Sequence, residues 1–337
     1  MKKLSLIIIG LLFIPTFFLT SCDSGDDPVA VEPAFSILKD YVVANGYDIP
    51  KIIKNSDDEK FVAAAPGTLA ETNAFLAKYH VIDIRAKADY DAGHISVAKN
   101  VAFSDILAEG ASATKPVLVV CYSGQTACYA TALMRMYGFK HTRALKWGMS
   151  GWNNTNADAS WNKKIGANEA DGHANWSYGN APTNQVFNNP AFASLKTDGL
   201  ALLKERVEQV VAAGFGAATA SGSNVLNNPQ NYHINNYFSE GDYGTFGHIE
   251  GAYRILPLSL GDNSFLGLDP TPGAKVITYC YTGQTSAVIT ACLRVLGYDA
   301  YTLTYGMNGM YNTNSAWSSN QWGEDSKAKD YPTVPTN

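Results

Sequence analysis

Two cysteines have the neighbours that sulfur chemistry needs. Cys121 opens the segment Cys121-Tyr-Ser-Gly-Gln-Thr-Ala127, and Cys280 opens Cys280-Tyr-Thr-Gly-Gln-Thr-Ser286. Each follows an apolar run, residues 116–120 and 275–279, and each precedes a stretch patterned as helix. In a strand–Cys–loop–helix arrangement, the loop amides and the helix N-terminus aim partial positive charge at the sulfur. That favours a nucleophilic thiolate, whose free pKa is about 8.5. Gly124 and Gly283 allow the turns that point consecutive N–H groups inward. Ser123, Gln125 and Thr126 can add donors, as can Thr282, Gln284 and Thr285; Tyr122, Ala127, Tyr281 and Ser286 complete the two loops.

The other cysteines read differently. Cys121 and Cys128 are seven residues apart on or beside a helix, which separates them by about 10 Å, too far for a disulfide. Cys280 and Cys292 are worse placed. Cys128 and Cys292 do not correspond between the copies, and both lie in apolar helical surroundings, so they read as buried small hydrophobes.

The elements that must position the two loops are also duplicated. Each loop leads into a segment of helical periodicity ending at Gly138 or Gly297, a C-cap residue. Arg135 and Arg294 correspond on these helices, far from the cysteines, and read as solvated. Short β-like stretches at 142–145 and 300–304 follow, then Trp147-Gly-Met-Ser-Gly-Trp152 and Tyr305-Gly-Met-Asn-Gly-Met310, whose Trp152 and Met310 read as core. Upstream, Val81-Ile-Asp-Ile-Arg85 and Gly93-His94-Ile95 face the more diverged His233-Ile-Asn-Asn-Tyr237 and Gly247-His248-Ile249. Asp83 and Arg85 are candidates for a supporting role or a structural ion pair; His94 and His248 read as structural. Residues 36–46 and 191–214 read as helices leading into each copy, and 157–190, rich in Asn, Gly, Ala and Trp, as a surface linker. Strands alternating with helices predict an α/β fold with a mainly parallel sheet.

Composition sets the outer bounds. With 46% hydrophobic and 16% charged residues the chain is globular, and 337 residues suffice for two domains. A net charge of −5 gives no sign of a nucleic-acid surface. Residues 1–22 combine Lys2-Lys3, an apolar stretch and the ending Leu19-Thr20-Ser21-Cys22, too short for a comfortable membrane span. This segment resembles a bacterial lipoprotein signal. The resemblance implies a lipidated Cys22, an acidic tether over 23–34, and a lipid-anchored protein of the bacterial cell envelope.

Taken together, the Asp-Ile-Arg strand, the Gly-His-Ile turns, the Cys loops and the closing Gly-Met motifs resemble a tandem rhodanese protein. The resemblance implies two domains, 35–160 and 190–325 with a linker over 161–189, each a central mainly parallel five-stranded sheet flanked by helices. It also implies a cysteine persulfide on Cys121 or Cys280, formed from a small sulfur donor and discharged to a thiol or cyanide. That cycle needs no metal, flavin or nucleotide. Many rhodanese loops carry an arginine where Thr126 and Thr285 stand here, and neither loop holds a basic residue. Thiosulfate is therefore expected to be a poor donor, and a less charged persulfide or polysulfide a better one. A cysteine phosphatase needs an arginine where Ala127 and Ser286 stand, which disfavours that reading. The remaining alternative is a non-enzymatic surface lipoprotein that carries sulfane sulfur or binds a partner.

Overall fold

The apolar runs that end at the two cysteines become the central strands of two parallel sheets. The computed structural model describes residues 33–336; the readings of residues 1–22 as a signal ending at Cys22 and of 23–34 as a tether fall almost wholly outside the described residues. In the first copy the strands are β1 (Val62–Ala63), β2 (His80–Asp83), β3 (Lys99–Asn100), β4 (Val117–Val120) and β5 (Arg143–Leu145). They lie in the order β1-β5-β4-β2-β3 and every pairing is parallel. β4 has no exposed residue, as a central strand covered on both faces requires. A short β6 (Trp176–Ser177) follows.

The second copy repeats the pattern with β7 (Thr219–Ala220), β8 (His233–Asn236), β9 (His248–Ile249), β10 (Val276–Tyr279) and β11 (Ala300–Leu303). Its parallel sheet runs β7-β11-β10-β8, and a parallel bridge from Asn235 to Tyr253 stands where the first copy has its fifth strand. β9 pairs antiparallel with β6. Among the described residues no helix is long and apolar enough to cross a membrane.

The loop helices Gln125–Tyr137 and Gln284–Val295 pack against each other at the centre of the molecule. Both are buried nearly all round, as expected of helices in the interior of a large core. Each fully buried Leu, Val or Met there contributes about 1.5–3 kcal/mol. The termini cross over. Helix Ala34–Ala44 buries Phe35, Leu38 and Val42 on one stripe and packs on helix Gly199–Ala213 of the second copy. The C-terminal segment returns to the first copy, where the Tyr331 amide donates to Trp152 O at 2.8 Å and the Val334 amide to His94 O at 2.9 Å. From Pro33 onward the chain is one compact unit.

Three readings from sequence are corrected. Arg135 is not solvated: it is 1% exposed, and its guanidinium donates to the carbonyls of Thr142, Ile52, Glu59 and Lys60 at 2.8–3.3 Å. The stretch 157–190 is more than a surface linker, because Trp161 is fully buried and stacks on Trp322. Of the helix read over 191–214, only Gly199–Ala213 forms.

Candidate active site

Both cysteines stand at the C-terminal end of their central strand. The Cys121 sulfur accepts from the amides of Gly124 and Ala127, each at 3.2 Å. The Cys280 sulfur accepts from the Ser286 amide at 3.3 Å, and Ser286 Oγ lies 3.5 Å from it. Ser286 Oγ is also 2.7 Å from Thr302 Oγ1. The first copy has Ala127 and Ala144 at the matching positions, so the hydroxyl pair exists only beside Cys280. Gly124 (φ +87°) and Gly283 (φ +72°) occupy the left-handed conformation that turns each loop into its helix.

The closing motifs staple the loops from behind. The Met149 amide donates to Cys121 O at 2.8 Å, and the Met307 amide to Cys280 O at 2.9 Å. Ser150 Oγ donates to Tyr122 O, and Asn308 Nδ2 to Tyr281 O. Both tyrosine hydroxyls donate to carboxylates at 2.5 Å, the exposed Tyr122 to Asp89 and Tyr281, whose ring stacks on Phe238, to Asp242. Thr126 and Thr285 are half-buried.

The two glutamines do not add to the donors around the sulfurs. Gln125 Oε1 accepts from the Tyr305 amide at 2.7 Å, and Gln284 Oε1 accepts from the Trp147 amide at 3.1 Å. Each loop therefore reaches into the closing motif of the other copy. Losing one of these acceptors would strand a buried amide, a cost of about 1–3 kcal/mol. Ser123 Oγ accepts from Gln125 Nε2 and Thr282 Oγ1 from the Gln284 amide, so both hydroxyls support the turn.

Asp83 and Arg85 form a buried ion pair, with Arg85 Nη2 at 2.7 Å from Asp83 Oδ2. Arg85 also donates to Gly93 O and Asn156 Oδ1, which ties the Gly-His-Ile turn to the segment after the loop. His94 stacks on Tyr90 at 3.8 Å and His248 on Tyr243 at 3.7 Å, which gives both a packing role. All four described cysteines are free and buried. Burial pushes the Cys128 and Cys292 thiols well above the usual range, as expected of inert core residues.

The surroundings of the two reactive-type cysteines differ. The two are alike in exposure, Cys121 at 1% and Cys280 at 2%, and burial raises the Cys121 pKa against the lowering effect of the Ala127, Ser123 and Gly124 amides. Trp161 donates from its indole to Ser123 O at 3.0 Å and packs edge-on against Trp147 and Tyr305, filling the space beside that loop. Cys280 instead lines a cavity of about 420 Å³ together with Thr282, Gln284 and Thr285. The far side of that cavity comes from the first copy: Lys60, Phe61, Val62, Ala64, Arg143 and Lys146. The loops alone did not reveal these residues. The signal in the sequence was divergence: Arg143 and Lys146 align with the neutral Tyr301 and Thr304.

A strand–Cys–loop–helix unit, present twice on parallel α/β sheets, defines the class of fold. The rhodanese-like domain model matches residues 68–155 and 234–313. A thiosulfate sulfurtransferase GlpE of Pseudomonas fluorescens (strain SBW25) is 36% identical over 78 residues, 22% of this chain and 71% of that protein. The chain belongs to the rhodanese family. Among solved structures, a thiosulfate sulfurtransferase from Pseudomonas aeruginosa matches at 14% identity and TM-score 0.28, over 86% of this chain and 49% of that one. This chain thus spans about half the length of that protein. A 3-mercaptopyruvate sulfurtransferase from Leishmania major matches at 13% identity and TM-score 0.26, over 71% of this chain and 72% of that one.

Proposed function

We propose that the chain is a sulfurtransferase that moves sulfane sulfur from a small donor to a thiol or cyanide through a persulfide on Cys280. The observation that carries this reading is the position of Cys280, on a strand-end amide cradle that opens into a cavity. The Cys280 thiolate attacks the outer sulfur of the donor. With thiosulfate, a Cys280–sulfur bond forms, the bond from that sulfur to the sulfonate group breaks, and its electron pair leaves with sulfite. The persulfide anion stays on the enzyme. Cyanide then attacks the terminal sulfur, and the pair of the S–S bond returns to Cys280 as thiocyanate departs. This is displacement at sulfur, as in thiol–disulfide exchange.

The residues of the second loop suit both halves of the cycle. Ser286 can accept from the thiol and donate to the thiolate or persulfide, because Thr302 lies within hydrogen-bonding distance on its other side. The first copy supplies walls and support. Both cysteines are buried, and the packing of Trp161 against the first loop fits a scaffold better than a second active centre. Purified chain given thiosulfate or a persulfide donor, with cyanide as acceptor, is expected to form thiocyanate. No product with any sulfane donor would favour a module that only binds a partner.

We also propose that Cys22 is lipidated and holds the protein at the bacterial cell envelope. Two or three acyl chains at about 0.8 kcal/mol per buried CH₂ give stable attachment. Cys22→Ala is expected to move the protein from the membrane fraction to the soluble fraction. Retention of that variant in washed membranes would contradict the anchor.

A further inference from the structure

Three cations of the first copy line the cavity beside Cys280, and no carboxylate does. Lys60 is exposed, while Arg143 and Lys146 are half-buried. Neutral groups hold Arg143 and Lys146 in place. Arg143 Nη2 donates to Val62 O at 2.6 Å and Nη1 to Tyr79 Oη at 3.3 Å; Lys146 Nζ donates to Asn320 Oδ1 at 2.7 Å. Arg143 Nε is buried with no partner. Among the described residues none of the three forms an ion pair within 4.0 Å.

The carboxylates that feel these charges are committed elsewhere. Glu59 is bound by Asn55 and His141, and Asp325 accepts from the amides of Asn320 and Gln321. Burial lowers the pKa of Lys146, a desolvation cost that a neighbouring anion would relieve. Partly desolvated cations without a carboxylate partner, around a cavity that holds a nucleophile, are arranged for an anionic ligand.

We infer that Lys60, Arg143 and Lys146 form an anion site, donated by the first copy to the second, that seats the oxyanion end of a sulfane-sulfur donor against Cys280. The inference rests on the sulfurtransferase reading for its substrate class. It replaces the expectation drawn from the loops that thiosulfate is a poor donor: the missing positive charge comes from the opposite copy. Thr282 and Thr285 line the same cavity and offer hydroxyls to the oxyanion. The site is one-sided, because Tyr301 and Thr304 stand where its counterpart beside Cys121 would need Arg143 and Lys146.

The test uses charge rather than turnover. Cys280 in the full chain is alkylated with iodoacetate or with neutral iodoacetamide, and the Cys280 peptide is followed by mass spectrometry. In Lys60→Gln/Lys146→Gln, the ratio of the iodoacetate rate to the iodoacetamide rate is expected to fall roughly tenfold, the scale of two partly solvated charges close to the reagent. Lys60→Arg/Lys146→Arg is expected to keep the ratio. Sulfate is expected to slow iodoacetamide labelling of the wild type and not of the Gln variant. Should the double variant fail to fold, Lys60→Gln alone, at an exposed position, is expected to lower the ratio in the same direction.

An unchanged ratio, or a Cys280 that neither reagent labels, would overturn the site. Charge-dependent labelling without sulfur transfer from any donor would support the anion site and remove the sulfurtransferase reading. Sulfur transfer with an unchanged ratio would do the opposite.

Discussion

Cys280→Ser is expected to lower thiocyanate formation from thiosulfate and cyanide by at least about 10³-fold, the scale of losing a nucleophile. Cys121→Ser is expected to keep turnover within about twofold, the size of effect that a substitution away from the reacting atoms produces. The asymmetry follows from what surrounds each sulfur. Cys121 accepts from two amides and Cys280 from one, but Cys280 adds the Ser286 and Thr302 hydroxyls and borders a cavity, while the first loop packs against the indole of Trp161. Burial also raises the Cys121 pKa, so its thiolate is scarce at neutral pH. Any alkylation of Cys121 is therefore expected to accelerate as pH rises beyond the ordinary thiol range. Equal losses in the two single variants would mean that both cysteines turn over; full turnover in the double variant would remove cysteine from the mechanism.

Gly306→Ala is expected to destabilise the protein by about 3 kcal/mol and abolish activity, the cost of overpacking a tight site in a strained backbone. Gly306 has φ +54°, and a Cβ there would collide with the Cys280 carbonyl and come within 2.7 Å of the Gly283 amide. The atoms struck are the backbone of the cradle, which cannot move without moving the sulfur's donors. Gly251→Ala is the control. Gly251 has φ +76° and nothing within 4 Å of an added Cβ, so only the backbone strain remains, about 1 kcal/mol. Urea unfolding of both variants measures the difference. Equal midpoints would mean that the closing motif does not brace the loop.

The duplicated loops were legible because their requirements are local. A strand, a cysteine, a left-handed glycine and a helix are consecutive in sequence, and each has its own residue preferences. The Gly-Met motifs were visible too, although their purpose, donating amides to the cysteine carbonyls, is a contact across the fold. What could not be read was where long polar side chains go. Arg135 looks solvated on a helix, yet its carbonyl partners at Ile52, Glu59 and Lys60 come from a distant segment. Gln125 and Gln284 sit beside their cysteines in sequence and reach 180 and 137 residues away in the fold. The cations of the second site are the same case, since they belong to the first copy's sheet. Composition concealed Trp161, because a stretch without periodicity reads as loop even where one indole fills a core.

Mapping sulfur onto a peptide tests the central claim most directly. The full chain is treated with thiosulfate, excess donor is removed, and the Cys121 and Cys280 peptides are weighed without reduction. A gain of one sulfur atom, about 32 Da, is expected on Cys280, to be removed by cyanide as the persulfide is discharged. A Cys280 peptide that gains no mass with thiosulfate or any other sulfane donor, or one whose added mass cyanide leaves in place, would contradict the account.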